Sequence, residues 1–423
     1  MTRPFAVLGI SAALLYSGAA YAASDVSEKS VVTTYADIAE AIFEDSLSST
    51  QALSAAIKTL VNSPSPATLG LARTAWIATR VPYQQSEAYR FGNALVDDWE
   101  GRVNAWPLDE GLIDYVSSTY GGESDENALY TVNVVANKFL TISGKKVDAT
   151  AITPVLLSTT LHEAEGVEAN VATGYHAIEF LLWGQDLNGT NAGAGNRPYT
   201  DFDLKNCTGG NCERRIQYLE AATELLIDDL NEMLALWRAD GAARSQLVEN
   251  PSQGITVILT GMGSLSYGEL AGERMKLGLL LKDPEEEHDC FSDNTHNSHY
   301  FDQIGIRNVY TGHYRRTNGK IVSGPSVSDL VKKANPDLDM ELRKDLDTTV
   351  AAMAALKSRA ETIEAYDQMI GDGNAEGNAV VQNAIDKLID QTRSIERAVT
   401  ALGLEKISVE GSDSLDKPSA VFQ

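Results

Sequence analysis

Apolar residues recur every three or four positions over four long stretches of the chain, and this spacing constrains the fold more than any other feature. Such spacing places the apolar side chains on one face of a helix. No stretch alternates convincingly with the two-residue period of a half-buried strand, so the sequence predicts an all-α fold. The four sets are Tyr35, Ile38, Ile42, Leu53, Ile57 and Leu60; Ile216, Leu219, Leu226, Leu230, Met233 and Trp237; Leu342, Leu346, Val350, Met353, Ile363 and Ile370; and Val381, Ile385, Leu388, Ile395, Ala398 and Leu402.

Two breaks interrupt the helical pattern. Residues 184–211 are rich in Gly, Asn and Asp, and residues 283–325 form a second break. The Gly-spaced segment 261–278 is still expected to be helical, with Gly268 and Gly272 allowing a neighbouring helix to approach closely. A chain of 423 residues fits two domains, which we place on either side of the first break. The predicted segments are an N-terminal helical domain at 30–190, a Gly/Asn-rich linker at 191–211 and a C-terminal helical-bundle domain at 212–410.

The first 22 residues have the features of a secretory signal peptide. Arg3 precedes an apolar run from Phe5 to Tyr16, and small residues follow with a cleavage pattern that ends at Ala22. Beyond this segment, no stretch approaches the roughly 20 continuous apolar residues that span a bilayer. We therefore expect an exported, periplasmic protein without a transmembrane segment; peripheral attachment to the outer membrane is the alternative location.

The charge balance excludes one class of partner. The chain has 34 Lys and Arg against 59 Asp and Glu, so its formal net charge is −25. Nucleic-acid binding needs clustered basic residues, and we expect no nucleic-acid partner. The acidity favours a multiply charged cation as a small partner, although a need for solubility is the commoner explanation of such a charge.

Three cysteines give one candidate disulfide. Cys207 and Cys212 flank the turn TGGN, and in an oxidising compartment they are expected to form a short disulfide, which leaves Cys290 unpaired. A zinc site is the alternative for the first pair. It is the weaker interpretation because no second Cys or His pair stands nearby.

The segment GYHAIEFLLW at 174–183 is the strongest candidate for a metal site. On a helix His176 and Glu179 are i, i+3 neighbours and point the same way, so an imidazole nitrogen and a carboxylate converge. The same pairing occurs in helical-bundle di-iron sites. The alternative is a buried histidine that is merely hydrogen-bonded to Glu179. Further ligands have to come from other helices.

A second candidate lies in residues 76–91. Arg80, Tyr83, Glu87 and Arg90 follow three/four spacing and share a face among aromatic residues that include Trp76. This arrangement indicates a lined cavity. The alternative is a solvated stripe with a contact between Arg80 and Glu87, worth about 0–1 kcal/mol.

A third candidate is the acidic, histidine-rich stretch EEEHDCFSDNTHNSH at 285–299. His288, Asp293, His296 and His299 bring several ligand types together, which is consistent with a second metal site. The stretch is equally consistent with a loop that covers the main site as a lid.

Several catalytic motifs are missing from the sequence. His162-Glu163 lacks the second histidine of HExxH, and neither a phosphate-binding GxxxxGK[ST] loop nor a GxSxG elbow occurs. These absences leave no assignable catalytic residue.

The segment GYHAIEFLLWGQD, with Gly174, His176 and Glu179 as Gly-x-His-x-x-Glu, resembles the signature of the imelysin family, which is named for a bacterial insulin-cleaving protease. Other stretches are similar to the iron-regulated periplasmic subgroup of that family. The resemblance covers about residues 30–405. The additional stretches are RVPYQQSEAYRFG, RVNAWPLDEGLIDY, CTGGNCERR, EHDCFSDNTH and GPSVSDLVKKANP.

The resemblance implies two all-helical, bundle-like domains with a site near their interface around His176 and Glu179. Related domains of ferrous-iron uptake systems carry a Tyr-x-x-x-Glu helix that maps onto Tyr83 and Glu87, which makes Glu87 the third candidate ligand. The family is also classed among the metallopeptidases. Whether this chain is an enzyme stays open at this stage, because a zinc peptidase needs three ligands and a general base.

The sequence thus predicts a periplasmic metal-binding protein that serves bacterial iron uptake. The expected cofactor is a divalent or trivalent metal, with iron favoured and zinc as the alternative. The expected partners are a metal ion or small iron chelate and other iron-uptake components. The competing hypotheses are a zinc-dependent peptidase acting on exported polypeptides and a non-catalytic module that binds a partner protein in the cavity.

Overall fold

The computed structural model describes residues 26–422, so the predicted signal peptide lies outside the described residues. Helices dominate, and the all-α prediction is confirmed. The α-helices are α1 (Glu28–Asn62), α2 (Pro66–Gln84), α3 (Ala94–Asn104), α4 (Glu110–Ile113), α5 (Pro154–Leu156), α6 (Gly174–Trp183), α7 (Cys212–Trp237), α8 (Ala242–Glu249), α9 (Pro251–Ser264), α10 (Leu277–Leu281), α11 (Thr295–Thr311), α12 (Val327–Ala334), α13 (Pro336–Thr362), α14 (Tyr366–Ile370), α15 (Ala375–Ala401) and α16 (Asp413–Asp416).

Two antiparallel β-hairpins, several 3₁₀ turns and two π-helical segments complete the described chain. The strands are β1 (Phe139–Ile142), β2 (Lys145–Asp148), β3 (His313–Arg315) and β4 (Ile321–Ser323), and β1 pairs with β2 and β3 with β4. Strands of three or four residues are too short to show a two-residue period, which explains why the sequence pattern missed them. The 3₁₀ turns are Glu87–Tyr89, Ala164–Gly166, Tyr199–Phe202, Pro284–Glu286 and Ala420–Phe422, and the π-helical segments are Leu157–Leu161 and Leu265–Lys276.

The four apolar stripes form the buried faces of α1, α7, α13 with α14, and α15. Nearly all of their members are buried. Val350 and Leu402 are half-buried, and Ile363 is 68% exposed because α13 ends one residue before it. Helical spacing therefore located the helices correctly but overran one helix end.

The second predicted break, 283–325, is wrong in part because it contains the 17-residue helix α11. The buried face of α11 includes Ser298, His299, Asp302 and Gln303, which are polar. Hydrophobic periodicity does not detect this helix, because its first buried turns are polar and its buried apolar residues Ile306, Val309 and Tyr310 lie only near its end. The sequence therefore mistook a core helix for a loop.

The Gly-spaced segment 261–278 is helical as predicted, and it runs continuously through α9, a π-helical segment and α10. The element that approaches Gly268 and Gly272 is an extended C-terminal segment and not a helix. A Cβ on Gly268 would lie 2.6 Å from the carbonyl oxygen of Glu410, and one on Gly272 would overlap Ser412. Gly268 and Gly272 thus allow a neighbouring element to approach closely, as the sequence indicated. That element is the C-terminal segment and not a second helix.

Helix α1 connects the two halves of the chain. It packs against α2 on the N-terminal side of the predicted linker and against α7, α8 and α9 on the C-terminal side. Nearly all the buried apolar side chains within residues 26–422 form one continuous core. The division into domains at 30–190 and 212–410 stays a prediction.

Two further features agree with the sequence. Cys207 and Cys212 form the expected disulfide, with their Cα atoms 5.9 Å apart, and Cys290 is a free thiol. Within residues 26–422, no helix has both the length and the apolar character needed to cross a bilayer.

A buried charge cluster ties the start of α7 to the segments before it. Arg215 and Arg197 both donate to Asp114, and Arg197 also donates to Asp201 at 3.1 Å. Arg215 donates further to the backbone carbonyls of Asp201 and Gly210, each at 3.0 Å. The two carboxylates balance the two guanidinium groups within a region that excludes water.

We expect Asp114→Asn to lower the free energy of unfolding by about 3–5 kcal/mol, since it leaves buried guanidinium charge without its partner. Urea denaturation at neutral pH measures this change. Asp125→Asn is the matched control: Asp125 is exposed, so the same substitution there should stay within about 0.5 kcal/mol. Equal effects of the two substitutions on the free energy of unfolding would show that the charge cluster contributes nothing to stability.

Candidate metal centre

Helix α6 carries the candidate ligands and is buried along its whole length. It begins at Gly174, whose φ of +79° favours glycine, and a Cβ there would overlap the backbone of Val103. The indole nitrogen of Trp76 donates to the carbonyl of Tyr175 at 2.9 Å. The glycine contact and this hydrogen bond together fix where His176 and Glu179 point.

The two signature side chains form a hydrogen-bonded pair. Nδ1 of His176 and Oε2 of Glu179 lie 3.0 Å apart, and the side chains are 1% and 0% exposed. The other oxygen of Glu179 accepts hydrogen bonds from the backbone N–H (3.0 Å) and the hydroxyl (2.6 Å) of Ser292. Nε2 of His176 is buried and has no hydrogen-bond partner among the described residues. It is therefore free to bind a ligand.

His176 meets His288 and Asp289 from the histidine-rich stretch. One ligand atom from each of the three residues lies within 4.8 Å of the other two, and all three residues are buried. The imidazole rings are 4.8 Å apart between centroids. In the part of the chain that the structure describes, no other three His, Cys, Asp or Glu side chains come together in this way.

Asp289 is held in place by three donors. Nη2 of Arg80 lies 3.0 Å from its Oδ1, while Asn294 and Ser298 donate to Oδ2 at 2.7 and 2.5 Å. Burial alone would raise the pKa of Asp289, but Arg80 and the hydrogen bonds hold that pKa below its ordinary value. Asp289 is therefore a carboxylate at neutral pH.

Both imidazoles are held in their neutral form. Burial, reinforced by the charge of Arg80, lowers the pKa of His176 to about 3. Burial also lowers the pKa of His288 well below its ordinary value, with Arg274 as the next cause. Metal ions bind the neutral form of imidazole, and both rings are already neutral. Metal binding therefore does not have to displace the proton of an imidazolium ring.

Burial and the charge of Asp289 raise the pKa of Glu179 well above its ordinary value. The carboxyl group therefore favours its neutral form in the absence of a nearby cation. A cation bound at the three ligand atoms would favour ionisation of Glu179 again.

The predicted cavity residues surround this centre, but they are packed against one another. Arg80 is fully buried, donates to Asn104 at 2.7 Å and lies over the ring of Tyr175 at 4.8 Å. Trp76 and Tyr83 are also fully buried, and the guanidinium of Arg80 faces both rings. These residues form the wall that holds Arg80 against Asp289.

Glu87, the third ligand expected from the sequence, lies in a neighbouring ion-pair network. Its carboxylate accepts from Arg274 at 2.7 Å and from Arg90 at 3.2 Å, and it is not one of the three convergent residues. Asp289 supplies the convergent carboxylate instead. The sequence signal that could have found Asp289 is its position directly after His288, a residue that the sequence analysis assigns only to a second metal site or a lid.

The other predicted residues of the histidine-rich stretch do not belong to the group of three convergent ligands. His299 is fully buried, packs its ring 5.2 Å from that of Tyr366, and has no hydrogen-bond partner for either nitrogen among the described residues. Nε2 of His296 lies 3.1 Å from the side-chain amide of Asn297, and Asp293 is half-buried. Only His288 of the four predicted residues joins the centre.

A cavity of about 430 Å³ reaches the centre at His288. Asn104, whose amide lies 3.5 Å from Nε2 of His288, and Trp106 stand beside it. Most of the charged groups along the cavity are carboxylates. They are Glu100, Glu269, Glu273 and Glu286, against Arg90 and Arg274.

Comparison with known proteins agrees with this architecture. The family profile described as imelysin, peptidase M75, matches residues 39–395. The chain therefore belongs to the imelysin family. A comparison with curated proteins finds no significant match.

Two crystal structures are similar in fold. One is of a protein described as an iron-regulated protein A precursor from Parabacteroides distasonis, with 19% identity, a TM-score of 0.63, and coverage of 89% of this chain and 95% of that one. The other is of an imelysin-like protein from Psychrobacter arcticum 273-4, with 15% identity, a TM-score of 0.52, and coverage of 91% and 99%. At these identities the likeness shows the fold alone.

We expect Gly174→Ala to lower the free energy of unfolding by at least about 2 kcal/mol, because the new Cβ combines positive φ with an overlap against Val103. Gly70→Ala is the control. Gly70 is exposed within α2 and a Cβ there meets nothing within 4 Å, so stability should rise by about 0.5–1 kcal/mol. Thermal unfolding of both variants measures the difference, and a neutral Gly174→Ala would contradict the proposed contact.

Proposed function

We propose that the protein binds a transition-metal ion, iron, through His176, His288 and Asp289, as part of periplasmic iron uptake. The observation that carries the proposal is the convergence of two neutral imidazoles and one carboxylate within 4.8 Å in a buried site. Two histidines and one carboxylate, with positions left open, form the donor set of many non-haem Fe(II) sites. The fit of these residues to a metal rests on their chemistry and on the free Nε2 of His176.

In this proposal Glu179 positions a ligand. When a cation is bound, the ionised Glu179 accepts the hydrogen bond from Nδ1 of His176, which fixes the tautomer and presents Nε2 to the metal. The two hydrogen bonds from Ser292 hold the carboxylate in turn. The Gly-x-His-x-x-Glu signature then contains one metal ligand, His176, and the residue that positions it, Glu179.

Three observations support iron and an uptake role. The donor set of imidazole and carboxylate suits iron among the transition metals, although zinc accepts the same ligands. One structure with this fold is described as an iron-regulated protein A precursor. The predicted signal peptide and the Cys207–Cys212 disulfide fit an oxidising compartment such as the periplasm.

We expect His176→Ala and His288→Ala each to weaken Fe(II) binding by more than about 100-fold, since the loss of a ligand exceeds the roughly 10–100-fold effect of losing a supporting group. Anaerobic titration calorimetry measures the affinity and should give one equivalent for the unaltered protein. His313→Ala on β3 is the control and should bind normally. Unchanged affinity in either ligand variant would refute the proposed site.

Glu179→Gln separates a supporting role from a ligand role. Glutamine still accepts a hydrogen bond from Nδ1 of His176 but carries no charge, so we expect Fe(II) affinity to fall roughly 10–100-fold while the stoichiometry stays at one. The same calorimetry applies. A complete loss of binding, equal to that of His176→Ala, would show that Glu179 coordinates the metal directly.

A zinc peptidase is the second candidate, because two histidines and one carboxylate also form the ligand set of known zinc peptidases. The site geometry opposes it, as His176 is 1% exposed and Glu179 is fully buried, so an extended polypeptide has no access to them. Zinc-loaded protein should therefore leave insulin and casein intact. Cleavage that stops on addition of a chelator and in Glu179→Gln would establish the peptidase instead.

A further inference from the structure

A second group of carboxylates meets around a small cavity that does not include the proposed iron ligands. Asp186 follows α6, Glu285 and Glu287 lie in the segment before His288, and Asp367 lies on α14. The four line a cavity of about 10 Å³, roughly the room that one ion or water molecule needs. We name these four residues the carboxylate cluster.

Two of the four carboxylates are buried without adequate partners. Asp367 is 2% exposed, and neither of its oxygens accepts a hydrogen bond of good geometry among the described residues, although its own backbone N–H and that of Gln368 lie near. Glu287 is 1% exposed; Oε2 accepts from the hydroxyl of Thr295 at 2.8 Å, while Oε1 has no partner. Buried polar atoms of this kind normally have a ligand, an ion or water beside them.

No basic side chain balances the cluster. Within residues 26–422, none of its four members forms an ion pair with Lys, Arg or His, whereas the carboxylates Asp289 and Glu87 do. The charges that act on Asp367 most strongly after burial are those of other acids, Asp186 among them, and its pKa is raised to about 7. Such a group needs either bound protons or a cation.

We propose that the carboxylate cluster binds one hard divalent cation of the calcium class, with Glu287 and Asp367 as its principal ligands. Four carboxylates line the cavity against one thiol, that of Cys290, and hard cations prefer carboxylate oxygens over sulfur and over the imidazole-containing set of the iron centre. No three of the carboxylates bring ligand atoms within 4.8 Å of one another, and a cavity of about 10 Å³ has no room for several waters beside an ion, so binding requires the carboxylate side chains to rotate inward. An affinity in the range of about 0.1–1 mM, typical of extracellular calcium modules, is expected.

The position of the cluster gives the cation a structural effect. Glu287 directly precedes His288 and Asp289, Asp186 follows the helix that carries His176, and Asp367 belongs to α14. One ion would therefore hold three separate segments together. The segment that supplies two of the three iron ligands would gain stability even without iron.

Calcium titration tests the proposal. With the full mature chain free of iron, we expect one Ca²⁺ equivalent by calorimetry and a rise in melting temperature of about 1.5–2 °C at ten times the dissociation constant. Asp367→Asn and Asp186→Asn should each weaken Ca²⁺ binding at least 10-fold. Asp372→Asn, an exposed acid just beyond α14, is the matched control and should bind normally.

His176→Ala distinguishes this site from the iron centre, because it should lose Fe(II) binding and keep Ca²⁺ binding. The proposal is overturned if the unaltered protein shows neither a Ca²⁺ heat nor a shift in melting temperature. It is also overturned if Asp367→Asn and Asp186→Asn bind Ca²⁺ as tightly as Asp372→Asn does. An Asp367→Asn protein that is more stable than the unaltered chain with 10 mM Ca²⁺ present would show that the cluster holds protons and not a cation.

Discussion

The ion pair between Arg80 and Asp289 is the interaction on which the centre depends. Both side chains are fully excluded from solvent, and their charged atoms lie 3.0 Å apart. Arg80 reaches from α2, lies over Tyr175 of α6 and holds Asp289 beside His288, so one guanidinium joins the three segments that build the site. A buried pair of this kind is weak evidence for stability, because desolvation offsets much of the attraction. Its role here is to fix a carboxylate next to two imidazoles.

A cation site next to guanidinium groups requires that their charge be neutralised, and the structure does this for both arginines that act on His176. Arg80 pairs with Asp289, and Arg274 pairs with Glu87 at 2.7 Å and Asp302 at 3.2 Å. Glu87 thus cancels positive charge close to the centre. This gives the carboxylate of Glu87 a physical role in addition to the ligand role predicted from the sequence, since the repulsion between an arginine and a metal ion falls when a carboxylate stands beside the arginine.

Helical periodicity was sufficient to predict the class of the fold, because the long helices α1, α7, α13 and α15 each bury one apolar face. It failed at α11, where most of the buried residues are polar, and at Ile363, where a helix ends within an apolar stripe. Part of the candidate site could also be predicted from the sequence, because helical spacing alone brings His176 and Glu179 together. Local spacing could not predict that His288 and Asp289 join this site, because their approach to α6 depends on how distant segments pack.

The cavity that ends at His288 has a kinetic consequence. Under the proposed function, an ion would enter through this cavity, whose lining includes Glu100 and Glu273, and it would shed its water before it binds the buried imidazole nitrogens. Release of the ion in that proposal requires rehydration in the same confined space, beside side chains such as Asn104. The residence time of iron at the proposed centre would therefore depend on the dehydration barrier as well as on ligand strength.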